Sequence, residues 1–215
     1  MKNSKNQRIG NRALPKSKLI ITAVLFFLGV LSNAYGQNNL NITFRPGANF
    51  PLNDLGTTEL SHGAGGFETT IAYRFIPNLQ VYGGWGSNWF SESESKDDSG
   101  LRFVETGYSF GLQFIHPMSS ESKLNYMIGG GGIFNHIETE NEDGDLIDDT
   151  EHGVGWQVDA GLLIPIGHHN RWQIMPTVRY HALSREVTSN GINSTLDLNY
   201  FSVGVGVIWT VWRAN

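Results

Sequence analysis

The chain has 215 residues, with 15 Lys and Arg against 20 Asp and Glu, and it contains no cysteine. A chain of this length fits one domain once a leader segment is allowed for. The missing cysteines exclude a disulfide framework and a lipoprotein anchor, and the acidic balance argues against nucleic acid as a partner.

The N-terminus has the pattern of a secretory signal peptide. Residues 1–18 carry six Lys and Arg and no acidic residue, and an apolar run follows from Leu19 to Leu31. The run is shorter than the ~20 residues of a spanning helix, and a small-x-small pattern at Ala34 and Gly36 follows it. We therefore expect residues 1–36 to be cleaved. The remaining domain, residues 37–215, keeps nine of the 15 basic residues and all 20 acidic ones, a net charge of −11.

Period-two alternation of apolar with small or polar residues predicts an all-β domain. The clearest case lies near the C-terminus, where Phe201, Val203 and Val205 share one face and Ser202 and Gly204 the other. Eight segments carry strand patterns of this kind; they span residues 40–50, 65–76, 79–90, 102–116, 123–138, 154–166, 171–185 and 196–212. The first is the weakest, because Pro46 interrupts it.

The connections between these segments alternate between long and short. Long polar stretches follow the first, third, fifth and seventh strands, and short turns follow the second, fourth and sixth. This pattern predicts an eight-stranded antiparallel up-and-down transmembrane β-barrel with long extracellular loops and short periplasmic turns, located in the cell outer membrane. Tryptophans near strand ends suit interfacial girdles; they are Trp85, Trp89, Trp156, Trp172, Trp209 and Trp212.

The same alternation divides the side chains of such a barrel between lipid and lumen. Bulky faces meet lipid, and the opposite faces fill an interior that has room only for side chains. Six ionisable residues take the inward parity and predict a lumen charge network: Glu68, Arg74, Glu105, Asp159, Arg179 and His181. Buried charges must be paired or solvated, so we expect the two arginines to oppose the three carboxylates and block the lumen. A conducting, selective path is the alternative.

The stretch from Ser202 to Trp209, with Gly204 and Val207 at spaced positions, resembles the C-terminal sorting signal of bacterial outer-membrane proteins. Six residues follow Trp209, whereas the signal usually ends in a terminal aromatic residue. The run LLIPIGHHNRWQIMPTVRY resembles the strand-turn-strand of the small outer-membrane β-barrel domains, the opacity or porin-like family of eight-stranded, outer-membrane protein A-type barrels. The resemblance implies a Gram-negative envelope protein that meets outer-membrane lipid, lipopolysaccharide and the barrel assembly machinery.

Enzymatic and metal-binding functions have weaker support. Lipid A deacylases of similar architecture use a His and a Ser separated by one residue, whereas two residues separate His181 from Ser184. Alternation sends these two side chains to opposite faces unless a bulge intervenes. The segment from Asn141 to Leu146 partly matches a calcium loop but lacks the bidentate Glu. We expect His168 and His169 to be solvated residues of a short turn. Together, these three observations lead us to expect no catalytic residue, no metal site and no cofactor.

The leading expectation is thus a non-enzymatic outer-membrane barrel with an envelope-structural and surface-interaction role. Its acidic loops, which include Glu92, Glu94, Asp97 and Asp98, could hold an extracellular ligand or join lipopolysaccharide through divalent cations. A small-solute porin, a lipid A-modifying hydrolase and a water-soluble ligand-binding barrel are the alternatives.

Overall fold

The computed structural model describes residues 39–56, 58–93, 100–141, 143–167, 171–189 and 192–213, and the predicted signal peptide lies outside them. The described residues form nine strands and contain no helix long and apolar enough to cross a membrane. The strands are β1 (Asn39–Pro51), β2 (Ala64–Ile76), β3 (Leu79–Ser91), β4 (Arg102–Pro117), β5 (Asn125–Glu140), β6 (Leu146–Asp149), β7 (Gly153–Ile166), β8 (Trp172–Ser189) and β9 (Ile192–Arg213).

Eight of the strands close into an antiparallel barrel. Each pairs with its neighbour in sequence, β5 pairs with β7, and β1 closes the barrel by pairing with β9. The predicted fold is confirmed, and the strand ends differ from the predicted ones by only a few residues. The first strand continues through Pro46, which keeps its register opposite Phe67 of β2.

Two outer connections were predicted to be long loops, and the structure shows strand pairing in both. The short strand β6 pairs with the outer end of β5, in a segment whose acidic composition concealed it. Strands β8 and β9 remain paired as far as Ser189 and Ile192, beyond the predicted strand ends at residues 185 and 196. The Asn-Gly sequence between them is the typical signal of a two-residue hairpin connection.

Large apolar side chains cover the outside of the barrel. Along β9, Phe201, Val203, Val205, Val207 and Trp209 are all exposed, whereas Tyr200, Gly206, Ile208 and Thr210 are buried. Since a bilayer offers no hydrogen-bond partner to the backbone, a closed barrel with such a surface suits lipid as its solvent. The stacked rings of Trp172 and Trp209, 6.0 Å apart, lie at the end where the short turns are.

Glycines bring neighbouring strands close together inside the barrel. A methyl group on Gly131 of β5 would overlap the carbonyl oxygen of Phe110 on β4. A methyl group on Gly111 would likewise overlap the carbonyl oxygen of Gly130. The two inward glycines of β5, Gly129 and Gly131, therefore leave interior space, and at Gly129 this space is taken by the side chains of Asp159 and Gln113.

The interior side chains form three layers along the barrel axis. Near the periplasmic turns lies a small apolar cluster of Ile115, Met127, Leu163, Met175 and Ile208. The middle layer is polar and charged. The outer layer is a larger apolar cluster of Leu55, Leu60, Phe90, Phe103, Ile133, Ile137, Leu183, Leu198 and Tyr200.

Candidate functional site

Two arginines and two carboxylates meet across the middle of the lumen. Register places Arg45 of β1 opposite Glu68 of β2, and Asp159 of β7 opposite Arg179 of β8. The guanidinium of Arg45 bonds to Glu68 and lies 3.5 Å from Oδ2 of Asp159. Arg179 crosses the lumen and bonds to the same Glu68 oxygen at 2.5 Å. Arg45 contacts both carboxylates and Glu68 contacts both arginines, so the four residues form one charge cluster.

A second group surrounds Glu105, which is completely buried. Its carboxylate accepts hydrogen bonds from Nδ2 of Asn135 at 2.7 Å, the hydroxyl of Tyr200 at 2.5 Å and Nδ2 of Asn88 at 3.2 Å. Nδ1 of His181 lies 3.0 Å from the Tyr200 hydroxyl and 3.8 Å from the carboxylate. Three donors thus satisfy a carboxylate that would otherwise be costly to bury.

His181 connects the two groups. Its Nε2 lies 3.3 Å from Nη1 of Arg179. Arginine carries only donors, so Nε2 accepts and the ring proton lies on Nδ1, directed at the Tyr200 hydroxyl. One continuous hydrogen-bonded network therefore runs from Asp159 through the arginines and His181 to Glu105.

Five of the six ionisable residues predicted for the lumen are buried and belong to this network, and Arg74 is half-buried. Arg74 lies at the periplasmic mouth, where it lines a cavity. Arg45, which sequence reasoning missed, contacts Glu68 in the network, whereas the prediction had named Arg74 and Arg179 as the arginines opposing the carboxylates. Its inward parity with Asn41, Thr43 and Asn49, all buried, was the signal that could have identified it.

Among the described residues, the lumen is wide at its periplasmic end. A cavity of about 510 Å³ lies there, lined by polar residues that include Asn41, Gln80 and Gln113. Beyond the charge cluster, the space beside Arg179 and His181 falls to about 20 Å³. A water molecule needs about 10–15 Å³ of such space, so the middle of the lumen has room for about one water.

The outer apolar cluster lies between the polar network and the extracellular side. Leu55 and Leu60 come from the connection between β1 and β2, and both are 3% exposed. Backbone bonds hold this connection in place, from the Ser61 amide to the Ser91 carbonyl at 2.8 Å and from the Ser93 amide to the Glu59 carbonyl at 2.8 Å. The described part of the connection therefore packs over the outer end of the lumen as an apolar cover.

The structure does not bring together the two residues of the hydrolase hypothesis. His181 is buried in the interior, Ser184 is exposed, and the pairing of β8 with β9 has no register shift between them. The partial calcium pattern forms a turn, in which Oδ1 of Asn141 accepts from the Asp145 amide at 2.8 Å and Gly144 has a positive φ of 83°. That side-chain oxygen, which would be a calcium ligand, already accepts a hydrogen bond from a backbone amide. His168 and His169 lie outside the described residues.

The four residues of the predicted sorting signal lie in β9, Ser202 and Gly204 facing inward and Val207 and Trp209 facing outward. Pairing with β1 continues past Trp209 to Arg213, with a register shift after Leu40. The residues after the signal thus extend the last strand through a bulge. Their role in sorting stays a prediction.

No family model and no curated protein matches the chain. Among solved structures, the chain is similar to Neisserial surface protein A, with a TM-score of 0.55 and 11% identity over 80% of this chain and 96% of that one. Outer membrane protein OprG from Pseudomonas aeruginosa has a TM-score of 0.48 and 14% identity over 82% and 99% of the two chains. Ail, the attachment invasion locus protein of Yersinia pestis, has a TM-score of 0.42 and 12% identity over 81% and 99%. The chain has the fold of the small eight-stranded outer-membrane β-barrels, and the predicted outer-membrane location agrees with that fold.

Proposed function

We propose that this protein is a non-enzymatic outer-membrane barrel whose lumen is closed and whose role is structural and interactive at the cell surface. The proposal rests on two layers of side chains that follow one another along the barrel axis. A continuous charge network fills the middle of the lumen, and a buried apolar cluster fills its outer end. A hydrated ion would have to displace both layers to cross the barrel.

The charge network favours a structural reading over a selective path. Selectivity requires charged groups that a permeating ion can reach and leave. Here Glu68 and Arg179 are 6% and 8% exposed, and both are engaged with each other. Gln80 and Gln113, which line the cavity at the periplasmic end, are uncharged.

The surface role rests on the outer connections, since loops on a rigid scaffold are common sites of recognition. The segment around β6 exposes Asp143, Asp145, Asp148, Asp149 and Glu151. Such an acidic surface favours divalent cations and basic groups and repels other acidic surfaces. We propose that the barrel is surrounded by outer-membrane lipid and lipopolysaccharide and that the barrel assembly machinery inserts it. The proposed partner is an extracellular ligand bound by the acidic loops.

The alternatives have less support. A hydrolase needs its nucleophile within hydrogen-bond reach of the base, and His181 and Ser184 point to opposite sides of β8. A water-soluble ligand barrel would not expose Phe110 and Leu112 at 54% and 49% on its outer face. A small-solute porin needs a continuous path, and the wide part of the lumen ends at the charge cluster.

Single-channel recording of the purified protein in a planar bilayer tests the proposal. We expect no discrete openings from wild-type protein that shows heat-modifiable gel migration, the sign of a folded barrel. Discrete ion-selective openings that change in Arg179→Ala but not in Arg102→Ala would overturn the closed lumen and favour the porin. The matched control is suitable because the Arg102 side chain is 56% exposed, against 8% for Arg179.

A further inference from the structure

A second group of ionisable side chains lies on the outside of the barrel, at its extracellular end. His136 and Glu138 project outward from β5, Asp149 projects from β6, and His152 precedes β7. The neighbouring outward residues toward the membrane are Phe134 and Val154, which are 42% and 72% exposed. The group therefore lies at the outer border of the apolar belt.

Three potential metal ligands converge in this group. Nε2 of His136 lies 2.9 Å from Oε1 of Glu138 and 3.9 Å from Oδ1 of Asp149. One ligand atom from each of the three residues falls within 4.8 Å of the others. Zinc bound tetrahedrally at about 2.1 Å sets its ligand atoms about 3.4 Å apart. The two distances from His136 lie on either side of that value, so small side-chain rotations would complete the coordination.

The register of β5 and β6 gives an independent reason to expect a cation here. Glu138 and Asp149 are direct cross-strand partners, and like charges in that position destabilise a sheet. Both side chains are partly exposed, at 33% and 48%, and the imidazole nitrogen between them is the group that meets both. A divalent ion would offset the repulsion more fully than one imidazole.

His152 supplies the orienting contact that metal-bound histidines usually have. Its Nε2 lies 2.9 Å from Nδ1 of His136, and the two rings are 4.1 Å apart. When Nδ1 of His136 carries the ring proton, it donates to His152, and Nε2 is left free to bind a metal. Thr150 holds the segment in place, because its hydroxyl accepts from the Ile137 amide at 2.9 Å and its own amide donates to the Ile137 carbonyl at 3.0 Å.

We propose that His136, Glu138 and Asp149 bind a divalent transition-metal ion of the Zn²⁺ type at the extracellular surface, with His152 as a positioning residue. The ligand set is one imidazole nitrogen and two carboxylate oxygens, and a fourth position opens to solvent. Imidazole favours Zn²⁺ and related ions over Ca²⁺ and Mg²⁺. Calcium also needs six to eight oxygen ligands, more than this group presents. The site is separate from the lumen network and does not depend on whether the barrel conducts.

The test is a Zn²⁺ titration of untagged protein purified in detergent, in competition with a chromophoric chelator. A background variant with His168→Ala and His169→Ala removes the pair of histidines that precedes β8 in the sequence. We expect one tight Zn²⁺ ion per chain in this background. His136→Gln, Glu138→Gln and Asp149→Asn should each lower the affinity at least tenfold, and His152→Gln should lower it about tenfold through the orienting contact.

Matched controls are His116→Gln, an exposed histidine at the periplasmic end, and Glu59→Gln, an exposed acid in the first outer connection. Both should leave the affinity unchanged, and equimolar Ca²⁺ should not displace Zn²⁺. Absence of saturable binding, equal losses in controls and site variants, or displacement by Ca²⁺ would each overturn the site and leave an imidazole–carboxylate hydrogen bond. The neutral replacements of Glu138 and Asp149 alter partly exposed side chains, so they test the proposal even if a His136 variant fails to fold.

Discussion

Replacing Glu68 by Gln should destabilise the barrel strongly. The carboxylate accepts from Arg45, from Arg179 at 2.5 Å and from the Ser109 hydroxyl at 2.7 Å, and it is 6% exposed. The amide keeps the size of the side chain but removes the charge, so Arg45 and Arg179 would share Asp159 as their remaining carboxylate in the cluster. Removing one partner of a buried ion pair costs about 3–5 kcal/mol, and we expect the Glu68→Gln variant to lose that amount.

The double variant Arg45→Gln/Glu68→Gln separates charge imbalance from packing. It leaves Arg179 with Asp159, its direct neighbour across β7 and β8, so the charge of the cluster is balanced again. We expect it to be more stable than Glu68→Gln alone, with a coupling of about 0.5–3 kcal/mol. The assay is urea unfolding in lipid vesicles, followed by tryptophan fluorescence and gel migration, with Glu59→Gln as the exposed control. A loss below about 1 kcal/mol in the single variant, within the range of an ordinary hydrogen bond, or additive losses in the double variant would refute the reasoning.

Two further variants test the interior packing. Tyr200→Phe keeps the ring against Phe90 but removes a hydroxyl bonded to Glu105, so the same unfolding assay should show a loss of about 1–3 kcal/mol; an unchanged midpoint would mean that the Glu105 carboxylate does not need this donor. Gly131→Ala would place a methyl group against the Phe110 carbonyl, and overpacking of about 1–3 kcal/mol should reduce the heat-modifiable fraction. The control is Gly144→Ala, whose added methyl would meet no atom within 4 Å, so that it reports the cost of a positive φ alone. An equal effect of both variants would argue against the close approach of Gly131 to the Phe110 carbonyl.

The fold was predictable because its pattern is local. Alternation along β9 assigned Val203 and Val205 to the exterior and Ser202 to the interior without knowledge of any partner strand. The outer connections were less predictable: β6 has four exposed residues and no buried face, so alternation cannot reveal it. The extension of β8 and β9 also escaped prediction, although an Asn-Gly sequence marks the end of that hairpin.

The sequence predicted most of the residues that form the lumen network, but it did not predict which of them contact each other. Parity alone selected Glu68, Asp159 and Arg179 as inward residues. Parity applied to β1 would also have selected Arg45, but Pro46 made that strand the least certain. The pairing of Arg45 with Asp159 joins residues 114 positions apart, and that of Arg179 with Glu68 joins residues 111 positions apart. Such contacts depend on how the strands are staggered around the barrel.

The sequence by itself determined the eight strands of the barrel, their two faces and the transmembrane fold, because side-chain alternation and turn spacing act between residues close in the chain. Only the tertiary structure decided that an apolar cluster fills the outer end of the lumen, since Leu55 and Leu60 come from a connection with no strand periodicity. It also decided that His136 meets Glu138, Asp149 and His152, because β6 takes the place of β7 beside the outer end of β5. These features arise where distant segments meet, and their geometry is set by barrel closure rather than by local pattern.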